Sequence, residues 1–342
     1  AAPTAASALF AGTMGKLGVY GIVRVFAELL PITRFSTSWG QTIAILGTIS
    51  IFIGTVTALV QSDSKRLLSF HMIGQVGYML LGVGTGICFL RISPALATVG
   101  LMAGLFHVVN NAYYKSLLFL NAGAVLYRTG TRDLNRVGGL GTIMPLTTAM
   151  AIIASLSIAG VPPFSGFSSK WMIFSSSIIG GMQIPLPFIV LAIIAVFISA
   201  VTLASFLKFL GTAFLGRLHV EGKPDVEHAD VPITMRIPQV IIAIFCILFG
   251  IWPALPAYIL HLAVSGVLPA DYSPALKQIA GTALIGIHLN LGEGVVSIWN
   301  PALVVTGLVL CCLIPYLIYR IAGAPVRSVA MWLCGEEHTV DE

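Results

Sequence analysis

The chain has 342 residues, of which 57% are hydrophobic and only 9% are charged, and its mean hydropathy is +0.96. A soluble domain carries about a quarter charged residues, so this composition excludes a water-soluble fold and indicates a polytopic helical membrane protein. The net charge of +5 does not indicate nucleic-acid binding, because Lys and Arg form no basic stripe with interleaved aromatic residues.

Uncharged runs of about 20 residues define the predicted crossings in the first part of the chain. The first run, residues 1–23, is interrupted only by Lys16 and is expected to end at Arg24, where Glu28 pairs locally as the i+4 residue. The next runs cover residues 42–60, 67–90 and 92–127, with the polar turn QSDSKR after the first of these. The chain begins without an initiator Met and without the basic N-terminal region of a signal peptide, so we expect it to be the C-terminal part of a longer protein.

The second part of the chain contains predicted helix breaks. Apolar runs at 137–169 and 171–207 are long enough for three crossings, and breaks are expected at Pro162-Pro163, at Ser165-Gly166 and at Gly180-Gly181. Two further apolar runs cover residues 237–260 and 294–319. We therefore predict an all-α transmembrane bundle of about nine crossings with discontinuous helices. Its parts are a transmembrane core at 1–215, a hydrophilic loop at 216–236, and C-terminal transmembrane helices with a polar tail at 237–342.

Basic residues in the loops should orient these crossings, because cytoplasmic loops carry an excess of Lys and Arg. With the crossings drawn as above, the two sides carry equal numbers. One side has Lys65, Arg66, Arg128, Arg132 and Arg136, and the other has Arg34, Arg91, Arg217, Lys223 and Arg236. The sequence alone therefore leaves the orientation open.

Three lysines, Lys16, Lys115 and Lys170, lie well away from the nearest charged loop. A lysine near the bilayer centre costs roughly 2.5–3.5 kcal/mol on insertion scales, so each position needs a reason. Snorkelling to the interface explains Lys208, which lies near the end of its predicted helix, better than it explains these three. A desolvated lysine loses its preference for charge, so we expect these lysines to load and release protons.

His107, Asn111 and Lys115 are spaced i, i+4 and i+8 and therefore lie on one stripe of a helix. Such a stripe in an apolar segment indicates a hydrated path, with an interhelical hydrogen-bond seam as the alternative. His71, with Ser69 and Gln75, is a candidate second polar patch. Lys170 follows Pro-Pro-Phe-Ser-Gly, which is typical of a discontinuous helix that handles ions at membrane depth.

The sequence encodes no expected cofactor or metal site. The cysteines show no CxxC or Cys/His spacing, and glycine-rich stretches such as GVGTG lie inside apolar runs of lipid-spanning length. The cysteines are Cys88, Cys246, Cys311, Cys312 and Cys334. We therefore expect any electron chemistry or ATP hydrolysis to belong to another chain.

Four strings resemble one family, the antiporter-like subunits of respiratory complex I, Mrp antiporters and membrane-bound hydrogenases. They are KLGVYGIVRV, SDSKRLLSFHMIGQVGYMLLGVG, FHVVNNAYYKSLLFLNAG and AGVPPFSGFSSKWMIF, and together they span about half of the chain. The resemblance implies a proton path along the membrane plane, formed by a lysine on a broken helix, a central lysine or histidine, and a final lysine or glutamate on a second broken helix. Lys16, Lys115 and Lys170 match these positions, and His71 and Lys208 are accessory candidates.

The sequence departs from the family in three places. Asn111 stands where a second histidine often occurs, and His71 stands where the family usually has a small hydroxyl-bearing residue. The family's glutamate on an earlier helix would lie before Ala1, so the partner of Lys16 is expected outside this chain. The tail, with Cys334, Glu336 and Glu337, is similar to the ends of formate hydrogenlyase-type and other group 4 hydrogenase subunits.

The resemblance implies a cofactor-free subunit that moves protons in a redox-driven membrane complex, not catalytic by itself. Its expected partners are lipid, other membrane subunits including further antiporter-like ones, and peripheral iron–sulfur/nickel or NADH/quinone subunits. The expected location is the cytoplasmic (inner) membrane of a prokaryote. Two alternatives remain: an Mrp-type Na⁺/H⁺ antiporter subunit, and a structural membrane anchor whose lysines have no transport role.

Overall fold

The chain is helical throughout its long segments in the computed structural model, which describes residues 2–184, 187–221, 230–266, 268, 286–290 and 296–323. The helices are α1 Thr4–Gly12, α2 Leu17–Val23, α3 Arg34–Leu59, α4 Ser64–Phe89, α5 Pro94–Thr129, α6 Pro145–Ala159, α7 Ser165–Gln183, α8 Phe188–Phe214, α9 Ile233–Ile251, α10 Ala254–Ser265 and α11 Pro301–Ala322. Two short antiparallel pairs lie in the connections: β1 Val137–Gly138 with β2 His219–Val220, and β3 Ile287–Asn290 with β4 Val296–Trp299.

The predicted all-α polytopic bundle is confirmed. Within the described residues, seven helical segments are long and apolar enough to cross a membrane, and α6 and α10 are shorter apolar helices. The expected number of about nine crossings stays a prediction. The chain forms two compact units, Ala1–Ala302 and Leu303–Glu342. The described part of the second unit is apolar helix, and Cys311 and Cys312 are exposed on it.

The first membrane segment is interrupted at Lys16 and continues beyond its predicted end. Between α1 and α2 the backbone tightens into a 3₁₀ turn, Met14–Lys16, and after α2 it widens into a π-helix, Arg24–Leu29. Arg24 and Glu28 neutralise one another within this helix, with 2.9 Å between Nη1 and Oε2. A charged pair at i,i+4 can therefore extend the helix instead of ending it.

Helix α3 begins eight residues before the predicted start of its apolar run, because a reciprocal cap precedes it. The Thr33 hydroxyl accepts a hydrogen bond from the backbone N–H of Phe35 at 3.3 Å, and the Ser36 hydroxyl accepts one from the Thr33 N–H at 3.1 Å. Such caps satisfy backbone donors that have no partner in the first turn. The cap, not the hydropathy, sets this boundary.

The break after α6 is confirmed, whereas the break expected at Gly180-Gly181 is wrong. Helix α7 continues through both glycines to Gln183. A Cβ atom at Gly180 would lie 2.8 Å from the Phe89 ring, and one at Gly181 would lie 2.3 Å from Ile189 Cγ1. These glycines allow close packing of neighbouring helices and do not end their own helix.

The expected balance of basic residues between the two sides is also wrong. Asp63 pairs with Arg132 at 3.4 Å, β1 pairs with β2 just after Arg217, and the Asp230 carbonyl accepts from Arg128 Nη2 at 2.6 Å. Residues 137–217 therefore begin and end at one end of the bundle. This basic end carries Lys65, Arg66, Arg128, Arg132, Arg136, Arg217 and Arg236; Lys223 lies outside the described residues.

Candidate functional site

Lys170 lies in the second turn of α7, immediately after the break, and is 1% exposed. Its ammonium donates to the carbonyls of Ile158 and Ala159 at 2.9 and 3.1 Å and to the Ser199 hydroxyl at 3.0 Å. Nζ also lies 4.7 Å from the centre of the Tyr78 ring. The last carbonyls of a helix have no partners within it and carry partial negative charge, so they suit a cation.

Gly160 makes this arrangement possible at the end of α6. Its φ is +79°, in the region that favours glycine, and a Cβ atom there would lie 2.8 Å from Lys170 Cδ. The lysine stem therefore passes directly over the residue that ends the helix. The Ser199 hydroxyl also donates to the Ala159 carbonyl at 3.0 Å, so α8 contributes to the same cluster.

A continuous chain of buried hydrogen bonds, which we call the central network, joins α4, α5 and α7. Its members are Gln75, His107, Asn111, Tyr114 and Ser169. His107 Nδ1 lies 2.9 Å from Ser169 Oγ, and His107 Nε2 lies 3.1 Å from Gln75 Oε1. The Tyr114 hydroxyl donates to Gln75 Oε1 and accepts from Asn111 Nδ2, both at 3.1 Å. The network thus extends from the neighbour of Lys170 to the residue one turn before Lys115.

Lys115 is completely buried, and within the described part of the chain its Nζ makes no hydrogen bond. The nearest aromatic ring is that of Phe119, whose centre lies 6.0 Å away. Gln75 Nε2 and Asn111 Oδ1 are likewise buried and unpaired among these residues. Buried polar atoms are normally satisfied, so these three atoms leave hydrogen-bonding capacity unused.

Lys16 is 4% exposed, and its ammonium donates to the carbonyl of Ala11 across the interruption between α1 and α2. A groove of about 700 Å³ reaches from Asp63 and Arg132 at the basic end to Ala11 and Gly15. This groove therefore extends from the charged end of the bundle to Ala11, the residue whose carbonyl Lys16 binds. None of the ion pairs among the described residues involves Lys16, Lys115 or Lys170.

The two accessory candidates lie outside the central network. His71 Nε2 lies 2.8 Å from the Ser205 hydroxyl of α8, and its ring packs 4.7 Å from that of Phe206. Gln75, which the sequence groups with His71, belongs to the central network. Lys208 donates to the carbonyls of Leu59 and Gln61 at 3.1 and 3.0 Å, so it caps the end of α3 at the basic end.

Five residues of this site are absent from the predicted path: Gln75, Tyr78, Tyr114, Ser169 and Ser199. Two of them carry a detectable signal, because Tyr114 is the i+3 neighbour of Asn111 and Tyr78 is the i+3 neighbour of Gln75. Trp299 is also outside the prediction. Its Nε1 donates to the Ser168 hydroxyl at 3.0 Å, and its ring lies 4.4 Å from that of Phe167 at the start of α7.

The described residues contain no group of three His, Cys, Asp or Glu side chains that could hold a metal ion. Cys88 and Cys246 are buried in separate places, and Cys334, Glu336 and Glu337 lie outside the described residues. The expectation that the chain carries no cofactor stays a prediction. What the site does present is a set of buried amines and hydrogen-bonding groups suited to holding and passing protons.

Comparison with known proteins gives a consistent result. The family model "NADH:quinone oxidoreductase/Mrp antiporter, TM" matches residues 1–202. The chain is 34% identical over 293 residues, 82% of its length, to hydrogenase-4 component B of Escherichia coli. It is 32% identical over 342 residues, 97% of its length, to Na⁺/H⁺ antiporter subunit A1 of Staphylococcus saprophyticus.

Among solved structures, the chain is similar to a chain of the membrane-bound sulfane sulfur reductase, an archaeal respiratory membrane complex. The TM-score is 0.79 at 30% identity, and the match covers 98% of this chain and 51% of that one. The chain spans 43% of the hydrogenase component and 40% of the antiporter subunit. It thus corresponds to less than half the length of either curated relative.

Proposed function

Since the chain belongs to the family of NADH:quinone oxidoreductase and Mrp antiporter transmembrane proteins, we propose that it translocates protons as a membrane subunit of a redox-driven complex. The observation that carries the proposal is the placement of Lys115 and Lys170 at the two ends of the central network, with Lys16 buried at a second helix interruption. The resemblance inferred from the four sequence strings is confirmed by the family match.

The proposed path runs from Lys16 to Lys115 and then through Tyr114, His107 and Ser169 to Lys170. The amides of Asn111 and Gln75 hold the Tyr114 hydroxyl and the His107 ring in place along it. Hydroxyl and imidazole groups can each accept one proton and donate another, so Tyr114, His107 and Ser169 can pass a proton by reorganising their hydrogen bonds. The Tyr114 hydroxyl lies 3.3 Å from His107 Nε2, and His107 Nδ1 lies 2.9 Å from Ser169 Oγ. Charge on one buried lysine disfavours charge on a neighbouring one in a medium of low dielectric constant, which favours onward transfer. The groove from the basic end to Ala11 is the proposed aqueous access to Lys16.

The chain is an integral membrane protein, and the proposal adds its assembly with other subunits, its location and its orientation. We place it in the cytoplasmic membrane of a prokaryote, with iron–sulfur/nickel or NADH/quinone subunits as partners. The basic end carries eight Lys and Arg residues when Lys208 is included, whereas Arg24, Arg34 and Arg91 lie toward the opposite end. By the positive-inside rule, the basic end faces the cytoplasm.

A second candidate function is Na⁺/H⁺ exchange in an Mrp-type assembly. The observation in its favour is the similarity to an Na⁺/H⁺ antiporter subunit, which extends over 97% of this chain. The two candidates use the same buried lysines and differ in the partner chains and in the exchanged ion.

Isolation of the complete complex through a tag on this chain tests the proposed function. We expect redox subunits to copurify, and we expect inside-out vesicles to acidify internally in Na⁺-free medium when the electron donor of those subunits is added. Copurification of antiporter subunits alone, with proton movement that requires a Na⁺ gradient, would favour the second candidate. Unchanged acidification after neutralisation of all three lysines would leave only an anchoring role.

A further inference from the structure

Helix α6 is capped at its first turn by a residue that is distant in sequence, Asp230. One carboxylate oxygen, Oδ2, accepts from the backbone N–H groups of Leu146 and Thr147 at 3.1 and 3.2 Å. The other, Oδ1, accepts from the Thr147 hydroxyl at 2.7 Å and from the Val231 N–H at 2.7 Å. The residue that precedes the helix, Met144, supplies no side-chain cap. The connection that follows α8 therefore performs this role.

The opposite end of the same helix holds Lys170. The carbonyls of Ile158 and Ala159, which accept from the lysine ammonium, are the last two of α6. This short helix thus has a carboxylate bound at its N-terminus and an ammonium bound at its C-terminus. The helix dipole favours a negative charge at the first end and a positive charge at the second. A helix of 15 residues is about 22 Å long, which is well over a Debye length. Asp230 therefore affects Lys170 by fixing the position of α6 and not by direct charge interaction.

Asp230 also connects α6 with the helix that carries Lys115. Its backbone carbonyl accepts from Arg128 Nη2 at 2.6 Å, in the last turn of α5. The side chain and the main chain of this residue therefore hold the basic ends of α5 and α6 in a fixed relation. Both helices contribute to the proposed path, α5 through Lys115 and α6 through the carbonyls that bind Lys170.

We propose that Asp230 is a positioning residue, which sets the place of α6 along its axis and thereby keeps the carbonyls of Ile158 and Ala159 on Lys170. In this role Asp230 is not a member of the proton path. The importance of Asp230 for transport rests on the proposed function. Its effect on the binding of Lys170 by the α6 carbonyls is measured separately from transport.

Amine labelling in the complete complex measures this hold. The membrane-permeant reagent acetic anhydride is applied at fixed pH, and acetylation of Lys170 and of Lys115 is followed over time by mass spectrometry. Loss of an N-cap makes local opening about fivefold more frequent, so we expect Asp230→Ala to increase the labelling rate of Lys170 about fivefold. Asp230→Asn, whose amide oxygen still caps a helix well, should restore most of the protection.

Two controls separate positioning from general loosening. Asp133→Ala removes a carboxylate whose Oδ1 accepts a hydrogen bond from the nearby Asn135 N–H at 3.0 Å, within the same loop. This substitution should leave Lys170 labelling unchanged. Lys115 in the Asp230→Ala complex should label at the wild-type rate. If Asp230→Ala prevents assembly, Thr147→Val removes one of the four side-chain bonds with little change of shape and should give a smaller increase in Lys170 labelling.

Unchanged labelling of Lys170 in an assembled Asp230→Ala or Thr147→Val complex would overturn the proposal, as would an equal increase at Lys115. The proposed function is scored by a different readout, internal acidification of inside-out vesicles. Faster labelling of Lys170 with wild-type acidification would leave the positioning role standing and would count against the transport role of Lys170. Faster labelling with reduced acidification supports both.

Discussion

Replacement of Lys115 by alanine is expected to abolish proton translocation, or to reduce its rate roughly a hundredfold, while electron transfer by the complex remains partly intact. In the proposed path the buried amine of Lys115 stands between Lys16 and the central network. Among the described residues no side chain is hydrogen-bonded to it, so none is placed to take over its proton. The measurement is internal acidification of inside-out vesicles, expressed per electron pair delivered by the donor.

The control for lost volume is Lys115→Met, which keeps an unbranched side chain in the core and removes only the amine. Both variants should lose acidification to the same extent, because the missing function is proton binding and not packing. The amount of assembled complex in the membrane must match the wild type for the comparison to count. Acidification at the wild-type ratio in either variant would contradict the role of Lys115.

The second large effect is expected at Lys170. Lys170→Met should block translocation, because the carbonyls of Ile158 and Ala159 lose the ammonium that they bind and the proposed path loses its last proton carrier. The matched variant is Lys208→Met. It removes an equivalent pair of lysine-to-carbonyl bonds, to Leu59 and Gln61, away from the central network.

We expect the rate of Lys208→Met to stay within about twofold of the wild type, because loss of an exposed or partly exposed helix-end contact costs about 1 kcal/mol of stability or less. The readout is the same vesicle assay, with the abundance of the assembled complex as the control. Equal damage from both substitutions would show that helix insertion, and not proton transfer, explains the lysines.

The sequence identifies the buried lysines because charge in a long apolar run is costly and therefore rare. Hydropathy alone separates Lys16, Lys115 and Lys170 from the loop residues, and the Pro-Pro break before Lys170 is readable from the backbone chemistry of proline. The structure places all three at no more than 4% exposure. Their roles in transport remain the proposal stated above.

The central network lies beyond sequence reasoning because it depends on how three helices meet. Gln75 reaches His107 only because α4 and α5 approach closely, and a Cβ atom at Gly82 would lie 2.8 Å from the backbone nitrogen of Gly104. A glycine in an apolar run indicates such an approach but does not say which helix approaches. The sequence likewise does not distinguish Ser169 from the neighbouring serines, because its role depends on the packing of α7 beside His107.

The sequence also does not predict at which end of the bundle the later loops lie. Length alone predicts three crossings for residues 137–207 but does not show at which end of the bundle α8 ends. The pairing of β1 with β2 then brings Arg217 to the same end as Arg136.

In the proposed mechanism, protons travel along the hydrogen-bonded chain between Lys115 and Lys170. The most direct test keeps all three lysines and interrupts the chain at His107, whose two ring nitrogens face Ser169 and Gln75. Protons translocated per electron pair are measured in inside-out vesicles with His107→Leu in the assembled complex. We expect a fall of at least about tenfold with electron transfer retained; the wild-type ratio in this variant would contradict the proposed route.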